Sequence, residues 1–80
     1  LSKYFASYYA KKNVRVNVIA PGGLYNNQPE PFLSKYKAKV PMGRMAVEDD
    51  LKGPALFLAS DLSSYVTGTV LPVDGGWTST

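Results

Sequence analysis

Residues 14–23 read VRVNVIAPGG, and this stretch decides the fold of the 80-residue chain. The largely apolar, β-branched run stops abruptly at Pro21-Gly22-Gly23. Such runs are typical of strands that are buried on both faces of a parallel sheet. Because ligands of open α/β sheets bind beyond the carboxyl ends of the strands, we expect this turn to face a ligand.

The composition indicates a globular protein, because 45% of the residues are hydrophobic and only 19% are charged. The chain has no cysteine and no histidine, which excludes a disulfide framework, the usual zinc sites and histidine-based acid–base catalysis from this segment. No signal peptide is visible, and no apolar run approaches the roughly 20 residues of a membrane span. We therefore expect a soluble, cytoplasmic protein with no membrane partner.

The net charge of +3 raises the question of nucleic-acid binding. The nine basic residues, however, are spread along the chain, and Lys35, Lys37 and Lys39 alternate at a spacing that scatters them around a helix. A solvated face explains them better than a nucleic-acid footprint, so we expect no nucleic-acid partner.

Periodicity predicts a helix over residues 1–12 that ends at Asn13, a residue that tolerates the left-handed conformation. A strand over 14–20 follows at once. A short helix is predicted over 32–40 and a longer one over 47–60, the latter with acidic residues in its first turn. Pro54 falls inside the longer helix, so we expect either a kink there or a helix that starts afresh at that point.

A second strand is predicted over residues 69–73, and Pro72 favours an edge position for it. The order is therefore helix, strand, helix, helix, strand. Two strands do not build an independent sheet-based core. Since Leu1 also falls inside a helical pattern, we expect residues 1–80 to be the C-terminal segment of one larger α/β domain.

Four segments in this order resemble the C-terminal third of the short-chain dehydrogenase/reductase family. They are VRVNVIAPG at 14–22, PMGRM at 41–45, LFLASDLSSYVTG at 56–68 and VDGGW at 73–77. The resemblance implies a Rossmann-type doubly wound parallel sheet that binds NAD or NADP. It also implies an oxidoreductase that moves a hydride between the nicotinamide and a carbonyl or alcohol carbon.

The resemblance implies a role for several residues after the first strand. Pro21 and Gly22 match the Pro-Gly turn beside the nicotinamide ring, where a glycine lets the backbone approach the cofactor closely. Leu24 matches the position whose main chain hydrogen-bonds the nicotinamide carboxamide. Asn26 falls where the family often has a cofactor-binding threonine, and an amide can also donate and accept.

The loop that follows corresponds to the family's substrate-binding loop. Tyr25, Asn27 and Gln28, together with Asn26, are expected to hydrogen-bond a polar, hydroxyl-rich ligand. A solvated loop is the alternative, since Asn and Gln favour turns. The segment PGGLYNNQ at 21–28 resembles the corresponding segment of family members linked to flagellin glycosylation or nonulosonic acid synthesis. This resemblance implies a sugar derivative as the substrate.

Tyr8 and Lys12 have the Tyr-x-x-x-Lys spacing that performs acid–base catalysis in this family. The family's catalytic tyrosine, however, lies much further before the Pro-Gly turn than Tyr8 does. We therefore expect Tyr8 to be a packing or interface aromatic and Lys12 a helix-end cation. The catalytic residues would precede Leu1, and the segment alone would be inactive.

Three further expectations concern the second half of the chain and its partners. Arg44 is interpreted as one half of a structural ion pair rather than an anion-binding group, and Trp77 as a packing anchor. The first helix and the region from Tyr65 to the last strand resemble the family's two subunit contacts, which implies a homotetramer or a homodimer. The alternative function is a non-catalytic family member in which the segment serves oligomerisation only.

Overall fold

The computed structural model describes residues 1–80 as three α-helices and a two-stranded parallel sheet. The elements are α1 (Ser2–Ala10), β1 (Val18–Pro21), α2 (Phe32–Lys39), α3 (Asp49–Ala59) and β2 (Val70–Val73), with single 3₁₀ turns at Asp61–Ser63 and Trp77–Ser79. This order confirms the predicted α/β class and the predicted sequence of elements. Asn13, after α1, has a φ of 62°, which confirms the left-handed end of the first helix.

The two strands run parallel, with Val18 opposite Val70 and Pro21 opposite Val73. The connection between them contains α2 and α3, as parallel strands require a long crossover. Both carboxyl ends therefore meet at the same edge of the sheet, where the Gly22 N–H donates to the Val73 carbonyl at 2.9 Å.

The two strand prolines cost the sheet no hydrogen bond. Val18 donates to the carbonyl of Thr69, just before β2, and Gly22 donates to that of Val73. The amides at even positions of β1 therefore point toward β2, and the nitrogen of Pro21 points away. In β2 the residues opposite this ladder are Thr69, Leu71 and Val73, so the nitrogen of Pro72 also points away from β1. Both strands of this two-stranded sheet are edges, so the edge position predicted for Pro72 in the larger domain stays a prediction.

The first strand begins later than the predicted residue 14. Residues 14–17 belong to no helix or strand. The Val16 N–H donates to Thr67 Oγ1 (3.1 Å), and the Val16 carbonyl accepts the Gly68 N–H (2.8 Å). Gly68 has a φ of 77°, so the opposite segment turns at this point and offers no further strand pairing. The tertiary partner, not the β-branched pattern, sets the start of β1.

Arg15 explains why a charged residue interrupts the apolar run. Its guanidinium donates to the carbonyls of Leu58, Ser60 and Val66 at 3.0–3.2 Å and to the hydroxyl of the fully buried Ser63 at 2.9 Å. The carbonyls of Leu58 and Ser60 lie at the C-terminal end of α3, where a cation is favoured by the helix dipole, and that of Val66 lies after the following 3₁₀ turn. Arg15 therefore fixes α3 against the segment that leads into β1.

Helix α3 continues without a break through Pro54. The alternative in which the helix starts afresh at Pro54 is therefore wrong. The helix begins at Asp49, two residues later than predicted, because Asp50 accepts the amide of Val47 at 2.8 Å and closes the preceding turn. Pro54 leaves the Asp50 carbonyl without its helical donor inside this continuous helix, and the kink stays a prediction.

The 80 residues bury little of their surface. Four of them are buried, namely Ala6, Val40, Met45 and Ser63. The radius of gyration is 15.4 Å, against about 12 Å for a compact domain of this length. The accessible area is 5994 Å², against about 4,700 Å² for a folded monomer of this mass.

The expected burial of β1 on both faces is therefore not met within this chain. Val18 stays 37% exposed, because α2, α3 and α1 are too few to cover both faces of the sheet. No helix has the length and apolar character that crossing a membrane would need.

Candidate functional site

Two tight turns lie side by side at the carboxyl edge of the sheet. The first is Pro21-Gly22-Gly23, which begins at the last residue of β1, and the second is Asp74-Gly75-Gly76 after β2. Gly75 and Gly76 have φ values of 64° and 94°, so this second turn uses the left-handed region that glycine adopts without strain. The edge at which α/β sheets bind ligands is thus built from main chain rather than from bulky side chains.

Gly22 is a glycine because the two turns are in contact. A Cβ on Gly22 would lie 2.9 Å from the Cα of Asp74, a distance that only backbone movement could relieve. The sequence predicted a glycine that admits a cofactor. The structure gives the residue a packing role as well, since it lets the two turns approach each other.

Leu24 carries a free main-chain donor at this edge. Residues on both sides of it pair with Ala46, since the Ala46 N–H donates to the Gly23 carbonyl (2.9 Å) and Tyr25 donates to the Ala46 carbonyl (2.8 Å). The Leu24 N–H itself makes no hydrogen bond within the chain, and the residue is exposed. An unpaired, accessible N–H of this kind can donate to a ligand carbonyl.

Gln28 braces the loop after β1. Its Nε2 donates to the Leu24 carbonyl at 2.9 Å, and its Oε1 accepts the Asn26 amide at 2.7 Å. Both ends of the side-chain amide are thus engaged within the loop. The substrate contact expected of Gln28 would have to compete with these bonds.

The other predicted loop residues present their side chains to solvent. Tyr25, Asn26 and Asn27 are exposed, and none of these side chains makes a hydrogen bond within the chain. Asn27 has a φ of 56°, a left-handed turn conformation that asparagine tolerates. Their predicted binding roles stay predictions.

Tyr36 is the residue at this edge that the sequence analysis missed. Its hydroxyl accepts the Gly23 N–H at 2.6 Å, and its ring stacks on Trp77 with 5.1 Å between centroids. The sequence shows Tyr36 only as one apolar position of a short helix, and no local pattern signals a partner 13 residues away. Trp77 packs against this ring, in agreement with its expected role as an anchor.

A cavity of about 140 Å³ lies where these parts meet. Both turns, Tyr36 and the start of α3 contribute to its wall. The lining residues are Gly22, Gly23, Tyr36, Met42, Arg44, Ala46, Asp50, Val73, Asp74 and Gly75.

The charged groups at this cavity are already paired. Arg44 donates to both carboxylate oxygens of Asp50, at 2.7 and 3.0 Å, which agrees with the predicted structural ion pair. The bond from Arg44, followed by the bond from the Val47 amide, lowers the pKa of Asp50 from its usual 3.8 to about 2. Asp50 is therefore ionised at neutral pH and is unsuited to act as a general acid.

Asp74 is held in the same way. A hydrogen bond from the Thr78 side chain, with further bonds from the amides of Gly76 and Thr78, lowers the pKa of the Asp74 carboxyl. The carboxylate closes the turn after β2 and carries no proton at neutral pH. The edge can therefore bind and orient a ligand, but these carboxylates supply no acid for catalysis.

Tyr8 and Lys12 lie in and just after α1. The Lys12 ammonium sits over the Tyr8 ring, 4.9 Å from its centroid, and makes no hydrogen bond to the tyrosine hydroxyl. This is a cation–π contact rather than a catalytic pair. Tyr8 is 55% exposed, and its predicted role as a packing or interface aromatic stays a prediction.

Comparison with known proteins shows which family shares this sequence and architecture. Residues 1–78 match the family described as enoyl-(acyl carrier protein) reductase. The dehydrogenase LinX of Sphingobium indicum, which is named for 2,5-dichloro-2,5-cyclohexadiene-1,4-diol, is 42% identical over 96% of this chain and 32% of its own length. A short-chain dehydrogenase of Leptospira borgpetersenii with bound NAD⁺ superposes with a TM-score of 0.93 and 49% identity, over 96% of this chain and 30% of its own.

The chain belongs to the short-chain dehydrogenase/reductase family. This confirms the resemblance drawn from the four segments and the Rossmann-type fold that it implied. Two further relatives are similar over nearly the whole of this chain. The 2-dehydro-3-deoxy-D-gluconate 5-dehydrogenase of Bacillus subtilis is 41% identical over 99% of this chain and 34% of its own length. Post-translational flagellin modification protein A of Campylobacter coli is 40% identical over 96% and 30%.

The chain spans about a third of the length of these family members. The matched third contains the carboxyl edge described above. Other structural neighbours in the family are described with bound NADP rather than NAD⁺.

Proposed function

We propose that this chain forms the nicotinamide-side wall of an NAD- or NADP-dependent oxidoreductase. The observation that carries the proposal is the unpaired Leu24 N–H at the carboxyl edge of two parallel strands. Its family supports the proposal, since relatives of the same fold are described with bound NAD⁺ or NADP.

The residues at the edge suit a nicotinamide. Pro21 and Gly22 offer a wall without bulky side chains, and the Leu24 N–H offers a donor for the carboxamide oxygen. The Asn26 side chain is exposed and free to donate or accept. When bound, the cofactor would supply the hydride acceptor or donor for a carbonyl or alcohol carbon.

Residues 1–80 are, on this proposal, the C-terminal segment of one larger dinucleotide-binding domain. The low burial and the large radius of gyration support it, because the uncovered faces of β1 and β2 need further strands and helices. The acid–base residues of the reaction would lie in that larger part. The segment alone would then bind no substrate productively and have no activity.

The substrate we propose is a polyhydroxylated sugar derivative. Tyr25 and Asn27 present free polar groups beside the proposed nicotinamide wall. Relatives named for 2-dehydro-3-deoxy-D-gluconate and for flagellin modification support this class. We expect the intact protein to turn over a sugar acid but not a simple secondary alcohol, as measured by the absorbance of the reduced nicotinamide. The reverse preference would refute the proposed substrate class.

Asn26 provides the test of the cofactor site. Asn26→Ala removes the free amide without breaking a hydrogen bond of its side chain, so we expect weaker NAD⁺ or NADP⁺ binding and unchanged thermal stability. Loss of one hydrogen bond corresponds to about a 3- to 10-fold rise in the dissociation constant. The matched control is Asn26→Thr, which restores a donor and acceptor and should keep the affinity.

Calorimetric titration of the intact protein would measure these affinities. Equal affinity for wild type and Asn26→Ala would remove Asn26 from the site. No detectable binding of either nucleotide to the wild type would refute the function itself and leave the non-catalytic alternative, in which the segment serves oligomerisation. No observation in the structure favours that alternative.

We also propose a homotetramer or homodimer in the cytoplasm. Large apolar side chains are exposed on α1 and around Tyr65, the two regions expected to form subunit contacts. The lack of cysteine leaves the fold with no need of an oxidising compartment. Light scattering of the intact protein would measure its molar mass in solution, and the mass of a monomer would refute the proposed oligomer.

A further inference from the structure

Tyr36 stands between the two turns of the strand edge although it belongs to α2. Its hydroxyl accepts the Gly23 N–H. Its ring also stacks on the Trp77 ring, with 18° between the ring planes. One side chain thus joins α2, the turn after β1 and the turn that follows β2.

The fit between Tyr36 and Gly23 is steric as well as polar. A Cβ on Gly23 would lie 2.5 Å from both Cζ and the hydroxyl oxygen of Tyr36. Gly23 does not have a positive φ, so its backbone conformation is open to any residue. The tyrosine, and not the backbone, is what requires a glycine here.

Helix α2 has few other attachments to the rest of the chain. None of its residues is buried. Just beyond its C-terminal end, the buried Val40 lies beneath Gly75, and the Met42 amide donates to the Gly75 carbonyl at 3.0 Å. Tyr36 is therefore the contact that sets how closely the middle of α2 approaches the turn after β1.

Gly23 is fixed from two sides. Tyr36 holds its N–H, and the Ala46 amide holds its carbonyl at 2.9 Å. That carbonyl shares a planar peptide group with the Leu24 N–H, which points in the opposite direction in a trans peptide. Whatever orients Gly23 therefore orients the free donor of Leu24.

We propose that Tyr36 is a positioning residue for the ligand edge. Its hydroxyl fixes the Gly23 amide and thereby aims the Leu24 N–H, which, on the function proposed above, meets the nicotinamide carboxamide. The role requires the hydroxyl specifically, because the ring alone would keep the stack on Trp77 without holding Gly23.

Tyr36→Phe in the intact protein tests this. We expect amide hydrogen exchange at Gly23 to accelerate about 3- to 10-fold in the absence of cofactor, as the loss of one hydrogen bond implies. We expect the KM for the nicotinamide cofactor to rise by a similar factor while kcat changes less than about twofold. The matched control is Ser34→Ala, which removes a hydroxyl from the same helix whose partner is Glu30 rather than Gly23, and it should change neither quantity.

Unchanged exchange at Gly23, or a rise in cofactor KM with Ser34→Ala as large as with Tyr36→Phe, would overturn the proposal. So would a fall in kcat at constant KM. The exchange measurement needs no cofactor, so it tests the role of Tyr36 even where the wild type binds no nucleotide, which is the outcome that refutes the proposed function instead.

A double-substitution cycle tests the same contact from the side of Gly23. Gly23→Ala forces its Cβ against Tyr36, whereas in a Tyr36→Ala background that contact is gone. We expect Gly23→Ala to raise the cofactor KM in the wild-type background and to add little in the Tyr36→Ala background. Equal effects in both backgrounds would show that Tyr36 does not act through Gly23.

Discussion

Gly22 is the residue at which the two strand ends are pressed together. Its missing Cβ would lie 2.9 Å from the Asp74 backbone, and its φ is not in the left-handed region. Gly22→Ala should therefore destabilise the intact protein by overpacking, by about 1–3 kcal/mol, and a denaturant titration would measure the loss.

Gly53 is the matched control for that substitution. A Cβ at Gly53 would meet no atom within 4 Å, and the residue lies inside α3. Gly53→Ala should stabilise by about 0.5–1 kcal/mol, since alanine loses less backbone entropy in a helix. Equal destabilisation by both substitutions would mean that the close approach of the two turns is not what Gly22 serves.

The ion pair at the start of α3 makes the stability of the protein depend on pH. Arg44 and the Val47 amide keep the pKa of Asp50 at about 2, below its usual 3.8. A lowered pKa in the folded state means that the pair's stabilising effect is full above about pH 4 and is lost as the pH falls through about 2. Asp50→Asn should therefore destabilise the protein at pH 5, and the difference from wild type should shrink toward pH 2.

Thermal unfolding of both proteins between pH 2 and 5 would measure this. Arg44→Gln removes the partner instead of the acid and should give the same pH profile. A difference between wild type and Asp50→Asn that stays constant over this range would contradict the ion pair as the source.

At the scale of the whole molecule, the 80 residues lack a core of their own. Four residues are buried, and the accessible area exceeds that of a folded monomer of this mass by about a quarter. We expect the isolated chain to unfold without a cooperative transition and to be inactive, because cooperative unfolding needs a shared core. Circular dichroism on heating would decide this, and a sharp sigmoidal transition of the isolated chain would contradict the proposed larger domain.

The elements whose signals are local were predictable. The helix over 32–40 agrees with α2 to within one residue, and the left-handed Asn13 and the glycines at 75 and 76 follow from intrinsic backbone preferences. The start of β1 was not predictable, since a strand begins only where a partner is available and Gly68 turns the partner away. The restart predicted at Pro54 was wrong, because hydrogen bonds at both ends of α3 outweigh the one donor that Pro54 lacks.

The sequence alone determined the order of the elements, the family and the edge at which VRVNVIAPGG ends. These follow from periodicity and from segments whose meaning is local. Only the tertiary structure decided that Gly22 faces Asp74, that Gln28 braces its own loop and that Tyr36 holds Gly23. Such contacts depend on how distant segments are brought together, and a side chain's partner across space leaves no periodic trace in the chain.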